Sequence, residues 1–169
     1  MLLAEMLLPE YDQEAATTRR LLERVPAKYA AWRPHPKSYS LGDLAVHVAT
    51  LPWWLEVTLT TTELDLNPPG RGPQMTPAPF STVEALLAYF DKNAAAGRAA
   101  LAKTTDADFA APWTLKTCGE AIFTLPRAAV VRSFVLSHLI HHRAQLGVYL
   151  RLRDVPLPPS YGPTADGGM

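Results

Sequence analysis

Cysteine is almost absent from this chain: Cys118 is the only one among 169 residues. No internal disulfide can form, which suits a reducing compartment. Net charge is absent as well, because 16 Lys and Arg balance 16 Asp and Glu. Phosphate backbones are held by a surplus of positive charge on one face, and no basic run occurs, so nucleic acid is not an expected partner. No apolar run approaches the ~20 residues that cross a bilayer, so no membrane partner is expected either. The opening MLLAEMLLPEYD is apolar but lacks a basic start and is interrupted by Glu5, Pro9 and Glu10, unlike a signal peptide. The expectation is a soluble, cytoplasmic, single domain over residues 1–169, long enough to bury a core unaided.

Proline, by contrast, is plentiful, with 16 residues. It removes a backbone donor and clashes with the preceding helical turn. Its clusters at Pro34 and Pro36, from Pro68 to Pro79, and from Pro156 to Pro163 therefore mark gaps between elements.

Four stretches between those gaps carry helical periodicity. In residues 10–25, Tyr11, Ala15, Thr18, Leu21, Leu22 and Val25 recur at three- and four-residue steps. Ser40 with Asp43 reads as a capping box opening a second helix over 41–63, with an irregularity at Pro52. Ser81 with Glu84 opens a third, alanine-rich helix to about Leu101. The fourth covers residues 127–151. Between the third and fourth the period fails, and 113–116 with 121–124, separated by Cys118-Gly119, read as a short hairpin. The expected fold class is all-α, an antiparallel four-helix bundle with a hairpin before the last helix.

Three of the five histidines fall in one stretch of that last helix, SHLIHHRAQ. His138 and His142 are four residues apart and share a face, so both rings can reach one metal ion. His47, in the apolar segment LAVHVATL of the second helix, is the candidate third ligand. A single histidine in an apolar helix is most simply a hydrogen-bonded core residue, and H-x-x-x-H alone is a weak motif. Three imidazoles on facing helices would leave a coordination position open, as catalytic sites do. His35, between two prolines, reads as a loop residue, and His141 as a surface or supporting residue.

These segments resemble the DinB-like family. AAWRPHPKSYSLGDLAVHVATLPWW is similar to its second-helix signature, and RSFVLSHLIHHRAQLGVYLRL to its fourth, commonly H-x-x-x-H-R-G-Q. PEYDQEAATTRRLLERVP fits its first helix, and VPLPPSYGPTAD its C-terminal run. The resemblance implies a four-helix bundle, usually a homodimer, holding a divalent metal on His47, His138 and His142. Ala144 stands where glycine is common, which preserves the helix and bears only on how closely a neighbour approaches.

Neutral imidazoles leave such an ion its full charge, so it can activate water or a thiol at neutral pH. Zinc and nickel suit the donor set best, with iron and copper also able to bind. The resemblance favours a transferase taking a low-molecular-weight thiol and a small-molecule substrate. A non-catalytic metal-binding stress-response protein and a metal-dependent hydrolase are the alternative readings. Around the site, Asp43 reads as a cap, Trp54 as core or pocket wall, and Gln145 as a substrate or bundle contact. Arg143 points to a surface or dimer contact, and Cys118 to an inert residue.

Overall fold

Ser40 turns the chain into the helix that carries His47. Its hydroxyl accepts from the Asp43 backbone N–H at 3.1 Å, satisfying one of the free donors of the first turn. The computed structural model describes residues 2–167. In it, helix α2 runs Leu41–Thr60, preceded by α1 (Leu3–Leu22) and a short 3-10 turn (Ala27–Tyr29). Then come strand β1 (Glu63–Asp65), α3 (Val83–Lys103), the one-turn α4 (Asp106–Ala110), and strands β2 (Pro112–Thr117) and β3 (Glu120–Pro126). The last long helix is built from α5 (Arg127–Ala129), a π-helical segment (Val130–Leu136) and α6 (Ser137–Arg151).

The chain is thus mainly helical with a small three-stranded sheet, ordered β1-β2-β3. The expected hairpin is present: β2 and β3 pair antiparallel around Cys118 and Gly119, whose φ values of 52° and 83° are both positive. A two-residue turn of that hand matches the twist of the strands, and glycine at its second position removes the steric cost. The all-α expectation is corrected by β1, which adds a parallel strand to β2. It takes Glu63, assigned to the end of α2, which stops at Thr60 because Thr61 is already extended. The β-branched Val57, Thr58, Thr60, Thr61 and Thr62 favour that exit.

Two further boundaries differ from expectation. Helix α1 opens at Leu3 rather than Glu10 and contains Pro9, because its buried stripe of Ala4, Leu7 and Tyr11 continues across the proline. Helix α3 is capped by Thr82, whose hydroxyl accepts from the Ala85 N–H at 3.1 Å, and not by Ser81.

The core lies between these helices: Leu44, Val48, Leu51 and Leu55 of α2 face Phe90 and Leu101 of α3 and Leu139, Leu146 and Leu150 of α6. Helices α3 and α2 pack tightly at Gly97, where an added Cβ would stand 2.9 Å from the Pro52 carbonyl oxygen. Nearby, Asn93 donates its side-chain amide to the Ala49 carbonyl at 3.0 Å. At the other end, Arg127 fixes the last helix to α2 by donating to the carbonyls of Thr58 (3.0 Å) and Thr61 (2.7 Å), which α2 leaves free at its C-terminus.

Candidate metal centre

His47 projects from the middle of α2 toward α6. His138 and His142 project from one face of α6, a turn apart, as their spacing requires. The three rings meet: one nitrogen from each lies within 4.8 Å of the others. His47 Nε2 and His138 Nε2 are 3.4 Å apart, and the His47 ring meets the His142 ring edge to face at 4.4 Å between centroids. The sequence assigned the same three residues to one centre.

Each ring of α6 is oriented from behind. His138 Nδ1 lies 3.2 Å from the Phe134 carbonyl oxygen, and His142 Nδ1 lies 2.7 Å from Gln145 Oε1. Both oxygens can only accept, so both Nδ1 atoms carry the hydrogen and both Nε2 atoms offer a bare lone pair. This is how metal-binding histidines are held in the correct tautomer. Gln145 therefore orients a ring of the cluster.

The electrostatics agree. Burial, and then the neighbouring His142 and His138, pull the His47 pKa from 6.5 down to about 4. His138 is lowered by burial and His142, against the opposing Phe134 carbonyl. His142 is lowered by burial, against the opposing Gln145 contact. All three rings are neutral at pH 7, the form that ligates. Nitrogens bound at ~2.0–2.1 Å to a tetrahedral ion stand ~3.4 Å apart, so the His47–His138 pair already has the required separation.

The π segment immediately before His138 is the local feature that sequence reasoning missed. Ser137 donates its hydroxyl to the Arg132 carbonyl five residues back, at 2.9 Å. The wider winding alters the rotational phase of the residues that follow it, and π segments recur at functional sites.

Beside His47 opens a cleft of about 410 Å³, lined also by Tyr39, Asp43, Thr50, Trp54, Met75 and Pro77. Tyr39 stacks on the His47 ring, 5.6 Å between centroids at 22°. Trp54 is both core and cleft wall, packing edge-on to Phe134 at 5.1 Å. A larger cavity of about 560 Å³ lies against another face of α6, along Ile140, Ala144, Gly147 and the C-terminal segment. None of the three clustered imidazoles lines it, whereas His47 lines the smaller cleft.

The remaining candidates separate cleanly. His35 is an exposed loop residue whose Nδ1 accepts from the Lys37 N–H at 3.1 Å. His141 is exposed and stands outside the cluster. Cys118 is exposed in the hairpin turn, away from these rings. Asp43 supplies its backbone N–H to the Ser40 cap, but its carboxylate does not return the bond, so only half of the expected capping box forms. Arg143 overturns its expected surface role. It is buried, pairing with the Glu14 carboxylate at 2.6 Å and donating to the Tyr161 hydroxyl at 2.6 Å. Its partners come from α1 and the C-terminal segment, which the spacing within α6 does not reveal.

Residues 10–146 match the family model described as the DinB superfamily. A DinB-like protein from Bacillus subtilis superposes with a TM-score of 0.70 at 17% identity, covering 92% of this chain and 96% of that one. A DinB-like protein from Bacillus cereus also gives 0.70, at 21% identity, covering 95% of this chain and 98% of that one. These likenesses are of fold. No curated protein matches the sequence.

Proposed function

The chain belongs to the DinB superfamily, and from that premise we propose that it is a divalent-metal-dependent transferase that activates a low-molecular-weight thiol at His47, His138 and His142. We read its long helices as the antiparallel four-helix bundle of such proteins, working as a cytoplasmic homodimer. Zinc or nickel is the assigned ion.

The observation that carries the reading is the cluster itself: three neutral imidazoles brought together, two of them, His138 and His142, held by contacts at Nδ1 that leave Nε2 free to ligate. A bound divalent ion supplies a Lewis acid that favours the deprotonated form of a thiol at neutral pH. The chain's own residues do the rest. Phe134 and Gln145 hold the two rings of α6, and Tyr39 covers one face of the His47 ring. Asp43 and His141 are not among the three clustered residues, so the three imidazoles alone would hold the ion and leave a position for a ligand. The open cleft beside His47 favours turnover over a purely structural ion.

Elemental mass spectrometry of the purified protein tests the assignment. Near-stoichiometric divalent metal is expected, lost in His47→Ala, His138→Ala and His142→Ala and kept in His35→Ala. Calorimetric titration with glutathione, mycothiol and bacillithiol should then show binding to the metal-loaded protein alone. Equal metal retention in all four variants overturns the site, and metal without thiol binding or turnover overturns the transfer.

A further inference from the structure

The cleft beside His47 is a groove that follows α2. Asp43, His47, Thr50 and Trp54 succeed one another by four, three and four residues, so they lie along one helical face. At 1.5 Å per residue that face spans ~16 Å, with the imidazole nearer the Asp43 end. Met75 and the segment from Pro77 to Pro79 form the facing wall.

The two ends of the groove differ in chemistry. At one end Trp54 is 8% exposed and packed against Phe134, and Met75 also lines the groove. At the other, the Asp43 carboxylate is exposed and makes no hydrogen bond or ion pair among the described residues. The Ser40 cap uses only its backbone N–H, so the carboxylate is free for a ligand. Among the described residues, no lysine or arginine lines the groove. Arg33 lines the adjoining pocket together with Asp43, and the two make no ion pair.

We propose that this groove binds an extended, apolar small molecule with a cationic nitrogen at Asp43 and an aryl or alkyl body along Trp54 and Met75. The body supplies most of the affinity and the charge sets the direction in which the molecule lies. That direction places the bonds a few atoms from the nitrogen beside His47. Calling this molecule the second substrate, the acceptor of the thiol, rests on the transfer reading above. Its shape and charge rest on the lining of the groove.

Three probes with one body separate these claims: phenylbutyl-trimethylammonium, phenylbutanol and phenylbutanesulfonate. Each is titrated into the full chain by calorimetry, zinc-loaded and chelator-stripped, with metal content measured on the same samples. The ammonium probe should bind about two- to fivefold more tightly than the alcohol, the range of a solvent-exposed ion pair, and the sulfonate most weakly. The ammonium advantage should be larger in the stripped protein, because a zinc ion on His47, one turn from Asp43, opposes a bound cation. Asp43→Asn should abolish the ammonium advantage, and Met75→Ser should weaken all three probes alike.

A sulfonate preference that disappears in Arg33→Gln would assign the groove to anions and overturn the proposal. So would an ammonium advantage that survives Asp43→Asn, or no binding of any probe. A charge preference in protein that takes up no metal would remove the transfer reading and leave the groove. Full metal with no preference would do the reverse.

Discussion

Arg143 and Glu14 form an ion pair at 2.6 Å between α6 and α1, with their side chains only 4% and 6% exposed. The guanidinium also donates to the Glu14 carbonyl (3.1 Å), the Thr18 hydroxyl (3.2 Å) and the Tyr161 hydroxyl (2.6 Å), and Tyr161 donates to the Glu14 carboxylate. Arg143 follows His142 directly. A buried, multiply bonded guanidinium at that position fixes the rotation of α6, and with it the direction of the two imidazoles on the neighbouring face.

Removing one partner leaves the other charge buried and unpaired. Arg143→Met should therefore destabilise the protein by ~3–5 kcal/mol, and Glu14→Gln by a similar amount. The double variant should recover part of the loss, since no uncompensated charge remains. Urea unfolding of the three variants checks this. Equal additive losses in the double variant would show that the two residues are not coupled.

Gln145 acts on His142 through one contact, the 2.7 Å bond from His142 Nδ1 to its side-chain oxygen. Gln145→Leu removes the acceptor while keeping the helix, because leucine is a good helix former. Metal affinity should fall by about 10- to 100-fold, the usual effect of losing such a support. Gln145→Glu, which restores an oxygen acceptor, should recover most of it. Competition against a chromophoric chelator measures all three proteins, with far-ultraviolet circular dichroism confirming an unchanged fold.

The metal-free protein should lose stability on acidification. His47 has a folded-state pKa of about 4 against an ordinary 6.5, because burial disfavours its charged form. Between those values the unfolded chain binds more protons than the folded one, so stability rises with pH across the window. The contribution is complete above pH 6.5 and is lost as pH falls toward 4. His138 and His142 are shifted the same way and add to the slope. Urea midpoints across this range should decline toward acid, less steeply in His47→Gln. A flat profile in both proteins would contradict the buried, neutral cluster.

How much of this was legible depended on whether the partners were neighbours in sequence. The pair His138 and His142 showed itself because a helix repeats every three to four residues. The hairpin did so because its turn residues, Cys118 and Gly119, separate two apolar runs. Strand β1 was hidden: it is three residues long, and its partner β2 begins beyond the whole of α3. The first turns of α1 were not legible either: the apolar spacing read from Tyr11 onward does not reveal that Ala4 and Leu7 extend the buried stripe across Pro9. Arg143 was misplaced for the same reason as β1, since Glu14 lies 129 residues away. The half-made box at Ser40 shows the opposite limit: the local motif was right about the cap and wrong about the carboxylate that the groove leaves free.

Two glycines on long helices should respond in opposite directions to alanine. At Gly97 the new Cβ would stand 2.9 Å from the Pro52 carbonyl oxygen and 3.1 Å from the Tyr11 hydroxyl. The oxygen is backbone, so α2 and α3 must move apart, and Tyr11 is itself fixed by a bond to the Ala94 carbonyl at 3.1 Å. Gly97→Ala should cost ~1–3 kcal/mol despite the better helix propensity. At Gly147, on α6, the Cβ would meet nothing within 4 Å. There alanine only restricts the unfolded chain and should stabilise by up to ~1 kcal/mol. Thermal unfolding of the two variants gives the sign directly. Stabilisation by both would mean that α2 and α3 are less closely packed at Pro52 than their contact implies. Destabilisation by Gly147→Ala would mean that something covers that face of α6 in solution, and its dependence on protein concentration would tell whether a second copy of the chain does so.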